Sequence, residues 1–291
     1  MDISHSDLDH AAALLGVPRR SLVPFDERDP FQDGLRLQGL LSRMPDHRYG
    51  ALALLRVGGH ACPQAILATP KLHYPFGKDG VFRFPAVRDV RIYDKLDGTN
   101  VLAYRYRDPD GALRTSYKLR LSPVVRESRW GDFLGMWRDL LARHPEIPSL
   151  ADANDCAIGF EMFGARNPHL IDYDDALSTV VLFGVRADGS VVAPCDLHVG
   201  DVPRAPLLAT LRGDADPVAE YAAFRARMEA SNTSAEDGRI RGTEGCVWYV
   251  RDAAGALHLF KCKPETVEAT PWAPGINKSA VIAAVWNLLE S

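Results

Sequence analysis

A chain of 291 residues, 46% apolar and 25% charged, has enough core-forming material for a soluble protein of one large domain, or one domain with a small appendage. Its formal net charge of −4 argues against a basic, coat-like nucleic-acid binder and leaves room for a local positive cleft. No apolar run reaches the roughly 18 residues that span a membrane. Met1-Asp2-Ile3-Ser4-His5 lacks a signal-peptide pattern, and the five cysteines form no CxxC pair; a reduced, cytoplasmic protein without structural zinc is expected.

In chain order, Ser6 can cap a helix through Leu15, stopped by Gly16 and Pro18. Asp29 and Pro30 can open a second helix through Leu41, and residues 50–57 and 64–68 read as short strands. A loop-like passage, Pro70 to Pro85, contains Tyr74-Pro75-Phe76-Gly77. From Val87 onward strands and turns dominate. Asn100 to Arg107 alternates into the turn Asp108-Pro109-Asp110-Gly111, and Leu113 to Leu121 returns as its hairpin partner. A helix is expected over 127–143, with Phe133, Leu134, Trp137, Leu140 and Leu141 on one face. Buried strands follow at Cys156 to Phe163 and Ser178 to Val185, then a helix from Val218 to Met228. A hairpin of Cys246–Val250 with Leu257–Lys263 precedes a closing amphipathic helix from Lys278 to Leu289. Strands with inserted helices predict an α+β fold with mainly antiparallel sheets flanked by helices. Residues 1–85 form a small N-terminal module of uncertain fold, with too few clear strands to claim an OB barrel, and 86–291 the main domain.

The chemistry-bearing segment is Asp94-Lys95-Leu96-Asp97-Gly98-Thr99-Asn100. A lysine that attacks phosphorus needs a fixed position, a neutral amine and close access for phosphate. A strand end with a glycine turn supplies the first and third, and nearby cations, bound metal included, favour the second. Four further segments stand in order behind it: Phe160-Glu161-Met162-Phe163-Gly164, Val180 to Val185, Glu244 to Tyr249, and Leu259-Phe260-Lys261-Cys262-Lys263. Along the last of these, Lys261 and Lys263 share one face, and Phe260 and Cys262 the other. If Val250 faces Leu257, antiparallel counting sets Glu244 opposite Lys263, a carboxylate beside two lysines as a metal-bound triphosphate requires.

These segments resemble motifs I, III, IIIa, IV and V of the covalent nucleotidyltransferases, which comprise ATP-dependent RNA ligases, DNA ligases and mRNA capping enzymes. Tyr117-Lys118-Leu119-Arg120 lies where motif Ia falls, and the Thr99-Asn100 ending is most similar to the RNA ligases. The resemblance covers about Arg91 to Lys263. It implies the nucleotidyltransferase (adenylation) fold, with Lys95 taking AMP and Lys261 and Lys263 assisting at the α-phosphate. Asp94, Asp97, Gly98, Arg120, Glu161 and Phe183 would bind ATP, with Phe183 stacking on adenine. Glu161 and Glu244 would hold Mg²⁺ or Mn²⁺, and Asn100 would meet the 5′-phosphate of the nucleic acid.

The implied activity is an RNA ligase that joins 5′-phosphate and 3′-hydroxyl ends of RNA, or of mixed RNA and DNA, in RNA repair. The residues after Lys263 read as a loop and one helix, without the OB domain of DNA ligases and capping enzymes. Other readings stay open: a DNA ligase, a capping-type guanylyltransferase, an adenylyltransferase with a non-nucleic acceptor, or a non-catalytic nucleotide- or RNA-binding protein.

Overall fold

The computed structural model describes residues 4–128, 131–235 and 238–270. Helix α1 (His5–Leu15) starts from Ser4, two residues before the expected cap. The Ser4 hydroxyl accepts from the Asp7 amide at 3.0 Å, and the Asp7 carboxylate accepts from the Ser4 amide at 3.2 Å. Strands β1 (Leu22–Asp29), β2 (Leu35–Ser42), β3 (Leu52–Val57) and β4 (His60–Ile66) then form an antiparallel sheet in chain order.

The helix expected from Asp29 to Leu41 is therefore overturned: Asp29 ends one strand and Leu35–Ser42 is the next. The cause is burial on both faces. Leu37 and Leu41 pack toward Tyr104 and Tyr106, while Leu40 packs under α1 with Ala11 and Leu15. A strand covered on both sides loses its period-two pattern, and leucines at 37, 40 and 41 mimic helical spacing.

The remaining chain builds two larger antiparallel sheets. One has the order β10-β9-β8-β6-β7: β6 (Thr99–Arg107), β7 (Leu113–Lys118), β8 (Ala157–Phe163), β9 (Ser178–Val185) and β10 (Val191–Val192). The other has the order β11-β5-β14-β15: β5 (Val87–Asp94), β11 (Leu207–Arg212), β14 (Cys246–Asp252) and β15 (Leu257–Cys262). A two-stranded ribbon pairs β12 (Thr233–Ser234) with β13 (Ile240–Arg241). Helices α2 (Phe133–Arg143) and α3 (Ile147–Ala153) cover the outer face of the five-stranded sheet, with Trp137, Leu140 and Ile147 against Val101, Ile158 and Phe160. The helix expected over 127–143 begins only at Phe133, because the Asp132 carboxylate accepts from the Gly135 amide at 2.7 Å and caps it there. Helix α4 (Pro217–Ser231) covers the other sheet through Tyr221, Phe224 and Met228, which surround the buried Trp248. Helix α5 (Glu265–Ala269) follows β15, and the expected helix from Lys278 to Leu289 lies outside the described residues.

Alternation along β6 assigns its two faces. Val101 and Ala103 point to the helices. On the opposite face, Leu102 meets the four-stranded sheet, whereas Tyr104 and Tyr106 meet the N-terminal sheet. The Tyr106 hydroxyl donates to Asp29 at 2.9 Å, tying β1 to β6. Burial pushes the Asp29 carboxyl up, against the hydrogen bonds it accepts from the Phe31 amide and the Tyr106 hydroxyl. Among the described residues no helix is long and apolar enough to cross a membrane.

The β14–β15 hairpin differs by one residue from the expected register. Val250 pairs with His258 and Cys246 with Cys262. The turn is tighter than assumed, because Asp252 accepts from the Ala256 amide at 2.8 Å and from the Gly255 amide at 3.0 Å.

Candidate active site

Lys95 lies just past the end of β5. Its amide donates to the Gly245 carbonyl at 2.9 Å, which fixes it against the start of β14. Its ammonium donates to Glu244 Oε2 at 2.5 Å, and Lys263 donates to Glu244 Oε1, also at 2.5 Å. One carboxylate, 4% exposed, thus bridges two lysines from two strand ends. The slipped register still brings Glu244 and Lys263 together, because both lie just beyond the paired segment, before β14 and after β15.

Glu161 arrives from the five-stranded sheet. Its neighbours Phe160 and Met162 face the helices, so alternation along β8 turns Glu161 to the opposite face, beside Lys95. Burial, with Glu244 and Asp97 close by, pushes its carboxyl up to about 8 even though Lys95 pulls it down. Burial also disfavours charge on Lys95, but the carboxylates of Glu244, Glu161 and Asp97 outweigh it and hold the ammonium above the usual lysine range. These neighbours therefore favour the charged ammonium, whereas the sequence led to an expectation of neighbours that favour the neutral amine. Carboxylates surround it instead. Burial raises Glu244 too, yet Lys95 and Lys263 prevail and keep it below the ordinary range.

Asp97 and Gly98 position the site through the backbone. The Asp97 carboxylate accepts from the Leu170 and Ile171 amides at 2.7 and 3.0 Å, and its own amide donates to the Tyr173 hydroxyl at 2.7 Å. Burial and the charge of Glu244 raise its carboxyl. At Gly98 a Cβ would lie 2.2 Å from the Met162 carbonyl oxygen, so only glycine lets the motif pass this close to β8. Asp94 accepts from Thr243 Oγ1 at 2.9 Å, which ties the end of β5 to the loop carrying Glu244.

Lys261 stands apart from that carboxylate. Its ammonium lies 4.2 Å from the centre of the Tyr74 ring, and its amide donates to the His73 carbonyl at 2.8 Å. The Tyr74 hydroxyl bonds Glu268, which also holds Arg225 at 2.8 Å, and Arg225 in turn donates to the Lys263 carbonyl at 3.0 Å. Burial and the charges of Lys263 and Lys95 hold Lys261 below the usual lysine range. Tyr74, Thr243 and Tyr173 were missed in the sequence; the Tyr-Pro-Phe-Gly passage read only as a loop, and nothing in it signals a partner so distant in the chain.

Phe183 is buried in the apolar cluster between the two sheets, together with Val247 and Leu259. Its ring lies over Gly159, where a Cβ would come within 2.3 Å of it. Asn100 spends its amide inside the protein: Nδ2 donates to the Phe160 carbonyl at 3.0 Å and Oδ1 accepts from Thr69 at 2.7 Å. Arg120 is exposed after β7, and no ion pair or hydrogen bond among the described residues joins it to the lysine–carboxylate cluster. Beside it Lys118 is fully buried and donates to the Leu119 and Arg120 carbonyls at 2.9 and 3.4 Å. An open cleft of about 480 Å³ lies elsewhere, between turns of the N-terminal sheet around Arg28, Arg36 and Arg114.

No described group of three histidine, cysteine or acidic side chains is arranged as a ready metal cage. The donor chemistry nonetheless suits a hydrated divalent cation: Glu161, Glu244 and Asp97 crowd one lysine, and Glu161 is driven toward its neutral form by that crowding and by burial.

No family model and no curated protein sequence matches the chain. Solved structures do. Form 2 of an archaeal ATP-dependent RNA ligase aligns with a TM-score of 0.60 at 18% identity, over 92% of this chain and 66% of that one. Form 1 gives a TM-score of 0.54 at 18% identity with the same coverage, so the chain spans just under two thirds of the length of these ligases. The likeness is one of fold: the chain has the ligase-type nucleotidyltransferase fold, α+β with mainly antiparallel sheets.

Proposed function

We propose that this chain is an ATP-dependent RNA ligase that works through a lysyl-AMP. The observation that carries the reading is the bridge Lys95–Glu244–Lys263, with Glu161 facing it from the second sheet. Residues 86–291 are read as the adenylation domain and 1–85 as an N-terminal module.

Lys95 must lose its proton before it attacks. As the triphosphate enters, its charge competes with Glu244 for Lys263, and Lys263 and Lys261 would meet the α-phosphate. Glu161 and Glu244 would hold Mg²⁺ or Mn²⁺ through water; bound there, the cation offsets carboxylate and phosphate charge and favours the neutral amine. Lys95 Nζ then forms a bond to the α-phosphorus as the bond to pyrophosphate breaks. The adenine would enter between Phe183 and Val247, which share the apolar cluster between the sheets. AMP next passes from Lys95 to the oxygen of a 5′-phosphate. A 3′-hydroxyl displaces it, and the strand is sealed. Since Asn100 spends its amide on Thr69 and Phe160, its part is to hold the N-terminal segment to β6 and β8, with direct 5′-phosphate contact left to other groups.

The acceptor in this reading is an RNA end, or an RNA end held beside DNA, and the role is RNA repair. A cytoplasmic setting fits five free cysteines. The test is to mix the protein with ATP labelled in the α-phosphate and then denature it. Label should remain on the wild type and be absent from a folded Lys95→Ala variant. Retention from GTP alone would favour a capping-type enzyme, and retention from neither nucleotide would reject the catalytic reading. Nicked duplexes with RNA or DNA on each side then identify the strand that is sealed.

A further inference from the structure

A second groove, about 250 Å³, opens between residues 43–50, residues 67–73 and the edge formed by β9, β10 and β15. Its floor is apolar, built from Leu67, Val185, Val191, Leu257 and Leu259, and His47, Lys71 and His73 stand among its lining residues. We propose that this groove binds one unpaired nucleotide of a polynucleotide strand, with its base against the floor and its phosphate against Lys71 and the two histidines. The inference rests on the ligase reading and extends it from the lysine cluster to the strand that is joined.

Three observations carry it. The first is charge without a counter-charge. Lys71 is exposed and donates to the Pro45 carbonyl at 2.9 Å, and no ion pair among the described residues joins it to a carboxylate. Asp46 is paired with Arg48 and Asp252 with His258 at 2.8 Å, while Asp188, beside Gly189 at the rim, accepts from the Ser190 amide at 2.8 Å. The second is continuity. His73 is joined through its carbonyl to the Lys261 amide, and the Lys261 ammonium feels the charges of Lys263 and Lys95. Burial, with the charges of Lys71 and Lys261, holds His73 below the ordinary histidine range, which favours its neutral ring. In a chain of net charge −4, an exposed lysine with no paired carboxylate among the described ion pairs is a point that draws a polyanion, and Lys71 stands on the side of the groove that leads through His73 to Lys261.

The third is shape. Every nucleobase has an apolar face that can lie on such a floor, so a groove with an apolar base and a lysine at its rim suits single strands whatever their sequence. In the proposed reaction the phosphates of ATP lie farther along β15, because Leu257 and Leu259 begin that strand and Lys263 follows its end, while the apolar cluster proposed for the adenine meets the groove floor at Leu259.

The experiment measures binding of a short fluorescein-labelled, 5′-phosphorylated single-stranded RNA to the full chain by anisotropy across a salt series. Lys71→Glu should weaken binding on the order of tenfold and flatten the slope of log affinity against log salt by about one, the signature of one lost phosphate contact. Lys71→Arg should bind like the wild type, and lysyl-AMP formation should be unchanged in both. An abasic nucleotide scanned along the RNA should weaken binding at one position. Unchanged affinity and slope in Lys71→Glu would overturn the proposal, as would a raised KM for ATP, which would give the groove to the nucleotide cofactor. Wild-type protein that forms lysyl-AMP but binds no RNA would overturn it while leaving the adenylylation chemistry standing. Absence of lysyl-AMP with RNA binding intact would strike that chemistry alone.

Discussion

Lys95 and Lys118 are the same residue type in two different interiors. Around Lys95 stand Glu244, Glu161 and Asp97, and the ammonium is held above its ordinary range despite burial. Among the described residues no carboxylate pairs with Lys118. Its partners are the Leu119 and Arg120 carbonyls, and burial with the charge of Arg120 brings it down to about 7. Burial pushes both toward neutrality, and only the neighbours differ. Carbonyl dipoles suffice to hold a turn, as at Lys118. A buried charge with carboxylates on several sides is a place where an anion and a cation can exchange partners, which is what phosphoryl chemistry requires.

The comparison can be broken by substitution. The largest effect is expected for Lys95→Ala, with complete loss of covalent AMP in a folded protein, while Lys118→Met keeps adenylylation; equal losses would mean that position in the carboxylate cluster is not what distinguishes them. Glu244→Gln comes next. It leaves Lys95 and Lys263 without their shared partner, and adenylylation should fall on the order of a hundredfold or more. Its denaturation midpoint should also fall, since removing one member of a buried ion pair costs roughly 3 kcal/mol. A variant with wild-type rate and midpoint would show the bridge to be incidental.

A smaller effect is expected at Tyr74. Tyr74→Leu removes the ring beneath Lys261 and should slow adenylylation about three- to tenfold, whereas Tyr74→Phe keeps the ring and most of the rate. Loss in both would assign the effect to the hydroxyl and Glu268 instead. The smallest concerns Lys118 and stability. The unfolded chain keeps this proton up to about 10.5, but the fold keeps it only below about 7. Between those values the unfolded chain binds more protons, so the penalty is complete below about pH 7 and lifts as pH rises toward 10.5. Lys118→Met should raise stability by about 1 kcal/mol at neutral pH and flatten this part of the stability curve, measured by urea unfolding at several pH values. An unchanged curve would mean that Lys118 carries no such penalty.

The strands that carry the motifs were readable because each has one polar and one apolar face, or ends at a turn. Alternation alone sets Glu161 apart from Phe160 and Met162, and the turn at Asp108 to Gly111 announces the β6–β7 hairpin. The N-terminal sheet was not readable in the same way. Leucines on both faces of β2 erase the alternation, and the helical reading of residues 29–41 followed. The hairpin register failed by one residue because it depends on how Asp252 closes its turn, and hydrophobic pattern says little about that when β14 is buried on both faces. The Tyr74–Lys261 contact joins a loop before the first motif to the last motif, and no local rule links them.

His73 has a further consequence. β15 is the last strand of its sheet, and its outer edge would otherwise offer unpaired amides and carbonyls along an apolar segment. The His73 carbonyl takes the Lys261 amide, and the Leu259 carbonyl faces the His73 amide at 3.5 Å, so a short parallel bridge covers that edge. Exposed edges of this kind recruit other chains. Cutting away residues 1–85 would therefore remove a guard against self-association as well as the ring under Lys261, and the shortened chain should form aggregates that grow by strand addition.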